Sequence, residues 1–116
     1  MDAIIHHLAP ATVLRLADQV EVRPGQVVSK TLVQNDAVGL TLFAFDAGEQ
    51  LSAHTSPGDA LVTVLDGIAR ITLDGEPHEL HRGESILMPA NVAHAVFAVE
   101  PFRMALLQVF PAPEQR

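Results

Sequence analysis

Short apolar and β-branched runs, separated by turn signals, repeat along most of the chain. Each run is too short for a buried helix and is typical of a strand. The predicted strands are 27–33, 40–45, 61–65, 68–73, 85–88, 95–99 and 104–110. A short helix fits only within residues 1–22, where 11–16 fits an edge strand equally well. Six or seven such strands predict an antiparallel sandwich or β-barrel.

The length of 116 residues predicts one domain, 1–116, because two ordinary domains need a longer chain. We expect its core within about residues 20–110 and a frayed tail at 111–116. The pairs Asp66-Gly67 and Asp74-Gly75 predict tight hairpin turns, since glycine accepts a positive φ without steric cost.

Several predicted strands are apolar on both faces. Hydrophobic residues make up 48% of the chain and charged residues only 18%. A strand of this kind needs a second layer on each side, and another subunit is one way to supply it. We therefore expect a homodimer.

Composition excludes several classes of function. The chain has no cysteine, which rules out disulfides, thiolate metal sites and cysteine nucleophiles. Its net charge of −7 argues against a nucleic-acid partner. No apolar run reaches the length of a membrane span and no leader pattern opens the chain, so we expect a cytoplasmic protein without a membrane partner.

Two of the six histidines, His54 and His94, fall beside turns at the ends of predicted strands. Two neutral imidazoles that converge from different strands begin a divalent metal site. The remaining histidines are His6, His7, His78 and His81. His78 and His81 are three residues apart on one strand, so they should point to opposite faces and lie at the surface or rim.

Two segments resemble the motifs of the cupin family. The first family motif reads Gly, five residues, His-x-His, three or four residues, Glu, six residues, Gly; here Gly48, His54 and Gly67 match it. The second reads Gly, five residues, Pro-x-Gly, two residues, His, three residues, Asn; here the matches are Gly83, Pro89 and His94. The resemblance implies an antiparallel jelly-roll β-barrel, as in small single-domain bacterial cupins, with a pocket at one end floored by His54 and His94.

The metal-ligand set that the resemblance implies is incomplete. Ser56 stands at the second histidine position and Ala60 at the glutamate position, so only His54 and His94 remain. Catalytic metal sites usually keep three protein ligands. Asp59 neighbours the glutamate position, but in a strand it should face the other side. One divalent transition metal (Ni, Zn, Fe, Mn or Cu) would therefore be weakly bound, if held at all.

Two interpretations of the histidine pair stay open. The imidazoles hydrogen-bond to each other, to Ser56 or to water, or they hold a metal to which Gln108 adds an amide oxygen. We expect Ser56, Met88 and Gln108 to line the pocket. The first interpretation predicts a small-molecule-binding or sensing cupin with a decayed metal site. The alternative is a divalent-metal-dependent enzyme of oxygenase or isomerase type; the sequence identifies neither the ligand nor a catalytic residue.

Overall fold

The computed structural model describes residues 3–113, so the last part of the predicted tail, 114–116, lies outside the described residues. The described part contains a short 3-10 turn at Leu16–Gln19 and nine strands. The strands are β1 (Val27–Gln34), β2 (Val38–Phe45), β3 (Gln50–His54), β4 (Asp59–Asp66), β5 (Ile68–Leu73), β6 (Glu76–His81), β7 (Ser85–Met88), β8 (His94–Ala98) and β9 (Phe102–Val109). Within residues 3–113, no helix has the length and apolar character needed to span a bilayer.

Two antiparallel sheets face each other. One has five strands in the order β1-β2-β9-β4-β7, and the other has four in the order β3-β8-β5-β6. The predicted all-β, antiparallel jelly-roll architecture is confirmed. All seven predicted strands are present, with no strand at 11–16. β3 was missed because its sequence, Gln-Leu-Ser-Ala-His, is largely polar. β6 has no apolar run either, and it was predicted only as the strand that carries His78 and His81 after the turn at Asp74-Gly75.

The main core fills the space between the two sheets. Alternate residues of each strand turn inward, as the two-residue period of a β-strand requires. Phe45 and Phe102 stack with their ring centroids 4.6 Å apart near the centre of this core. The buried residues packed around them include Val62, Val64, Ala69, Ile71, Leu80, Val96, Ala98 and Met104.

A second apolar cluster lies on the outer face of β1 and β2. Leu32 and Leu42 are fully buried there, although they point away from the barrel interior. The N-terminal segment covers them with Leu8, Leu16 and Val20. The outer layer that two-sided apolar strands require is thus supplied here by the same chain, without a partner subunit.

The two predicted Asp-Gly turns have different outcomes. Asp74-Gly75 joins the paired strands β5 and β6 in two residues, and both have positive φ, 48° and 82°. That hairpin is confirmed, and positive φ at both central residues is characteristic of a type I′ turn. The hairpin predicted at Asp66-Gly67 is wrong, because β4 and β5 belong to different sheets. Gly67, at φ 82°, instead forms a corner where a Cβ atom would overlap the carbonyl oxygen of Pro101.

Candidate functional site

A β-bulge brings the two motif histidines together. In the β3–β8 ladder, Leu51 pairs with Val96 and His54 pairs with His94. Two residues of β3 therefore lie opposite one residue of β8, which is the arrangement of a β-bulge. Strict alternation from the inward-facing Leu51 would turn His54 outward. The extra residue reverses this, so His54 meets His94 at the end of the barrel.

The two imidazoles are in direct contact. Their Nε2 atoms lie 3.0 Å apart, and the ring planes meet at 68°. His94 is 6% exposed, whereas His54 is exposed at the rim. A buried ring thus lies behind a ring that solvent reaches.

Backbone carbonyls hold the other nitrogen of each ring. His54 Nδ1 lies 2.9 Å from the Ser52 carbonyl oxygen, and His94 Nδ1 lies 3.3 Å from the Val92 carbonyl oxygen. With the Nε2–Nε2 contact, the pair makes three contacts that each need a proton. Two neutral imidazoles carry only two ring N–H groups. One contact therefore lacks a donor unless a proton, a cation or a ligand supplies it.

The pKa of His94 is held below its ordinary value. Burial is the main cause, and the charge of a protonated His54 acts in the same direction. The hydrogen bond to the Val92 carbonyl opposes these effects, because it stabilises the protonated ring. Since burial dominates, the extra proton that would satisfy all three contacts is disfavoured at His94.

Ser56 lies in the loop after β3 and helps to join the two motif loops. Its hydroxyl accepts a hydrogen bond from the Gly58 N–H at 3.3 Å, and its carbonyl accepts one from the Asn91 N–H at 2.8 Å. Asn91, where the family motif has glycine, has a φ of 65°, a conformation that asparagine tolerates better than most residues. Asp59 Oδ1 accepts the Ala90 N–H at 2.8 Å, so that carboxylate stabilises a loop.

Ala60, Met88 and Gln108 lie side by side on the inner face of the five-stranded sheet. Ala60 pairs with Met88 on one side and with Gln108 on the other. Ala60 and Met88 are buried. No hydrogen bond among the described residues joins Gln108 to either motif histidine, and its Oε1 lies over Gly39, 3.2 Å from where a Cβ would stand.

Sequence reasoning missed Gln34, whose Oε1 lies 3.0 Å from the same point over Gly39. Gly39 pairs with Gln34 on one side and with Gln108 on the other. A glycine between two amide-bearing strands was the available signal, but it has meaning only once the strand register is known. The missing side chain leaves room for both amides at this end of the barrel.

The other histidines lie apart from this pair. His78 lies on the inner face of β6 opposite Ile71, whereas His81 is exposed and its Nδ1 lies 3.2 Å from Glu84 Oε1. The hydrogen bonds from His81 lower the pKa of Glu84. His6 and His7 are exposed near the N-terminus. His78 and His81 therefore lie on opposite faces of β6, as strand geometry predicts.

The donor set suits at most two metal bonds. At metal–nitrogen bonds of about 2.1 Å, nitrogens 3.0 Å apart subtend an angle of about 90°, as do neighbouring ligands of an octahedral ion. A backbone carbonyl behind each Nδ1 is also usual for metal-binding histidines. However, residues 3–113 contain no group of three or more His, Asp or Glu side chains placed to hold an ion. The site therefore fits two protein ligands and lacks the usual third.

Comparison with known proteins gives the same family as the motifs. The family model described as "Cupin domain" matches residues 41–110. A solved structure of a conserved protein of unknown function from Streptococcus pyogenes is 42% identical, with a TM-score of 0.93 over 96% of this chain and 97% of that one. A cupin superfamily protein from Desulfitobacterium hafniense is 33% identical, with a TM-score of 0.89 over 94% and 100%.

An enzyme is also among the relatives. A dimethylsulfoniopropionate lyase from Ruegeria pomeroyi is 28% identical over 79 residues, which span 64% of this chain and 52% of the lyase. The chain thus spans about half the length of that enzyme.

The lowered pKa of His94 predicts a pH-dependent stability. Below the ordinary histidine value of about 6.5, the unfolded chain takes up a proton at residue 94 before the folded protein does. The free energy of unfolding should therefore fall as pH drops below about 6.5. Above that pH neither state is protonated at residue 94, so His94 does not lower the free energy of unfolding there. Denaturant titrations from pH 8 to 5 should show a shallower decline for His94→Gln than for the wild type. His6→Gln, which removes an exposed histidine that forms no ion pair with the residues of 3–113, should keep the wild-type slope; equal slopes for all three proteins would contradict the assignment.

Proposed function

The chain belongs to the cupin domain family, and we propose that it binds or senses a small molecule at the barrel end formed by His54 and His94. The observation that carries this proposal is the donor deficit of the pair, with three contacts and two ring protons. A hydroxyl, amide or ammonium group of a ligand supplies the missing donor without charging His94. The site thus favours a ligand that brings a hydrogen-bond donor.

The residues around the pair favour binding over metal-dependent catalysis. Ala60 offers only a methyl group where the family places a glutamate, and the Ser56 hydroxyl bonds to the Gly58 N–H. On the facing sheet, Gln34 and Gln108 add neutral amides near Gly39. A neutral polar molecule finds hydrogen-bonding partners in such a wall, whereas a divalent ion finds no carboxylate.

A metal-dependent enzyme is the second candidate. The carbonyl behind each Nδ1 and the 3.0 Å separation of the Nε2 atoms favour it, because both suit two neighbouring ligands of one ion. Similarity to a dimethylsulfoniopropionate lyase is compatible with an enzymatic role. In this case water and the substrate would complete the coordination of the ion.

Calorimetric titration with zinc separates the two candidates. We expect weak binding to the wild type and at least about tenfold tighter binding to the double variant Ser56→His with Ala60→Glu, because two strong ligands are added. The gain should decline as pH falls through the histidine range, since the ligands bind only when deprotonated. The matched control, Ser56→Asn with Ala60→Gln, adds similar volume without strong ligands and should bind like the wild type.

Two outcomes of that titration would contradict the proposal. Tight one-to-one binding by the wild type would show a complete natural site and favour the enzyme. A folded double variant that binds no better than its control would show that positions 54, 56, 60 and 94 do not converge.

In a parallel arm on metal-free protein, glycerol and glucose are the hydroxyl-bearing probes. They should shift the ring signals of His54 and His94 in NMR spectra, and no shift with either probe would count against a neutral hydroxylated ligand.

We propose in addition that the chain forms a homodimer through the outer face of the five-stranded sheet. Leu61 and Leu87 pair across β4 and β7 and are 40% and 55% exposed, and Leu107 pairs with Leu61 on the other side. The N-terminal segment covers β1 and β2 and reaches Leu65 of β4 and Ala105 of β9, but it leaves Leu61 and Leu87 exposed. Leu87, Leu61 and Leu107 form an uncharged row across three strands. In a two-fold arrangement, the rows of two copies pack leucine against leucine and bury no charge.

Light scattering coupled to gel filtration tests the dimer. The wild type should have about twice the chain mass of 12.4 kDa at micromolar concentration. Leu61→Glu and Leu87→Glu should each shift it toward the monomer, since a carboxylate buried in an apolar interface is costly. Val13→Glu is the matched control, because Val13 is fully exposed on the N-terminal segment. A monomeric wild type, or dimers in all three variants, would contradict this interface.

A further inference from the structure

A cleft lined by three arginines lies at the opposite end of the barrel from the histidine pair. Strand β5 runs from one of these ends to the other. Its last residue, Leu73, pairs with His94, and its first residue follows the corner at Gly67. The cleft lies where that corner meets the N-terminal 3-10 turn, and its volume is about 330 Å³. Its lining is Arg15, Leu16, Ala17, Asp18, Leu65, Asp66, Arg82 and Arg103.

This concentration of arginine is unusual for the chain. The sequence has only seven lysines and arginines against 14 aspartates and glutamates, yet three of the seven line this one cleft. Two aspartates also line it, so positive charge is in excess locally in a protein of net charge −7. A concave region of locally positive charge draws anions toward itself.

Arg103 is held in a fixed orientation. Its Nε donates to the Val20 carbonyl at 2.8 Å, and its Nη1 donates to Asp66 Oδ2 at 2.6 Å. These bonds join β9 to the N-terminal segment and to the end of β4. A guanidinium has five N–H donors, and no further hydrogen bond of this one occurs among residues 3–113. Arg103 therefore neutralises Asp66 and still has N–H groups that no acceptor among residues 3–113 engages.

Arg15 and Arg82 are the free charges of the cleft. Both residues are exposed, and within the described part of the chain no hydrogen bond or ion pair engages either guanidinium. They come from distant parts of the sequence, before the 3-10 turn and in the turn between β6 and β7. The fold thus gathers two unneutralised guanidinium groups around a floor that includes Leu16 and Leu65.

We propose that this cleft binds a phosphate-type oxyanion, either inorganic phosphate or the phosphate group of a small ester. Guanidinium groups bind such oxygens in bidentate, charge-assisted pairs, which are stronger than neutral hydrogen bonds. Arg15 and Arg82 provide the direct contacts, Arg103 adds its unused donors, and the apolar floor accommodates a small apolar group of an ester. This site is independent of the ligand at the histidine pair.

NMR titration of ¹⁵N-labelled full-length protein with inorganic phosphate, at constant ionic strength set by chloride, tests the proposal. Amide signals of Ala17 and Leu65 should shift and saturate. Arg15→Gln and Arg82→Gln should each weaken binding by about tenfold, the usual scale for loss of a charged hydrogen-bonding partner. Arg70→Gln is the matched control, because it removes the same charge from an arginine stacked 5.1 Å from Phe97 on the other sheet.

The proposal is overturned if the wild type shows no saturable shifts at the cleft. It is also overturned if Arg15→Gln and Arg82→Gln bind as the wild type does, or if Arg70→Gln weakens binding equally, which would indicate attraction by overall charge. A second titration with phenyl phosphate distinguishes the two sources. Tighter binding than inorganic phosphate identifies an ester that uses the apolar floor, and equal affinity identifies free phosphate as the ligand.

Discussion

The β-bulge at Ser52 and Ala53 is the constraint on which the histidine site depends. A β-strand alternates its side chains, so one extra residue decides whether His54 faces solvent or the barrel. The same irregularity presents the Ser52 carbonyl to His54 Nδ1 at 2.9 Å. One local departure from regular pairing therefore both turns the ring inward and fixes its orientation toward His94.

The two walls of this barrel end have different chemistry. The four-stranded sheet supplies two imidazoles that together lack one donor, and the five-stranded sheet supplies the methyl group of Ala60 and the amides of Gln34 and Gln108. Positive charge is concentrated elsewhere, because three of the seven lysines and arginines line the cleft at the far end of β5. The fold thus separates a neutral, hydrogen-bonding site from a cationic one, which suits two ligands of different charge.

Local sequence signals predicted what depends on nearby residues, and failed where distant pairing decides. The apolar strands and the turn at Asp74-Gly75 were predictable, because alternation and positive φ are local properties. The same dipeptide signal at Asp66-Gly67 predicted a hairpin wrongly. There β4 pairs with β9 in the five-stranded sheet, whereas β5 belongs to the four-stranded sheet. The motifs selected His54 and His94, which the structure places side by side, while their role as metal ligands stays a prediction. Neither the bulge nor the amide of Gln34 beside Gly39 could be found without the register.

The protonation state of the two histidine rings distinguishes a donor-deficient pair from two independent imidazoles. Ring ¹⁵N chemical shifts of labelled, metal-free protein at pH 8 report which nitrogen of each imidazole carries hydrogen. We expect His54 to carry it on Nδ1, bonded to the Ser52 carbonyl at 2.9 Å, and ring protons of His54 and His94 to show mutual nuclear Overhauser effects. A His54 ring with its hydrogen mainly on Nε2 and no contact with His94 would contradict the inward-turned, donor-deficient pair.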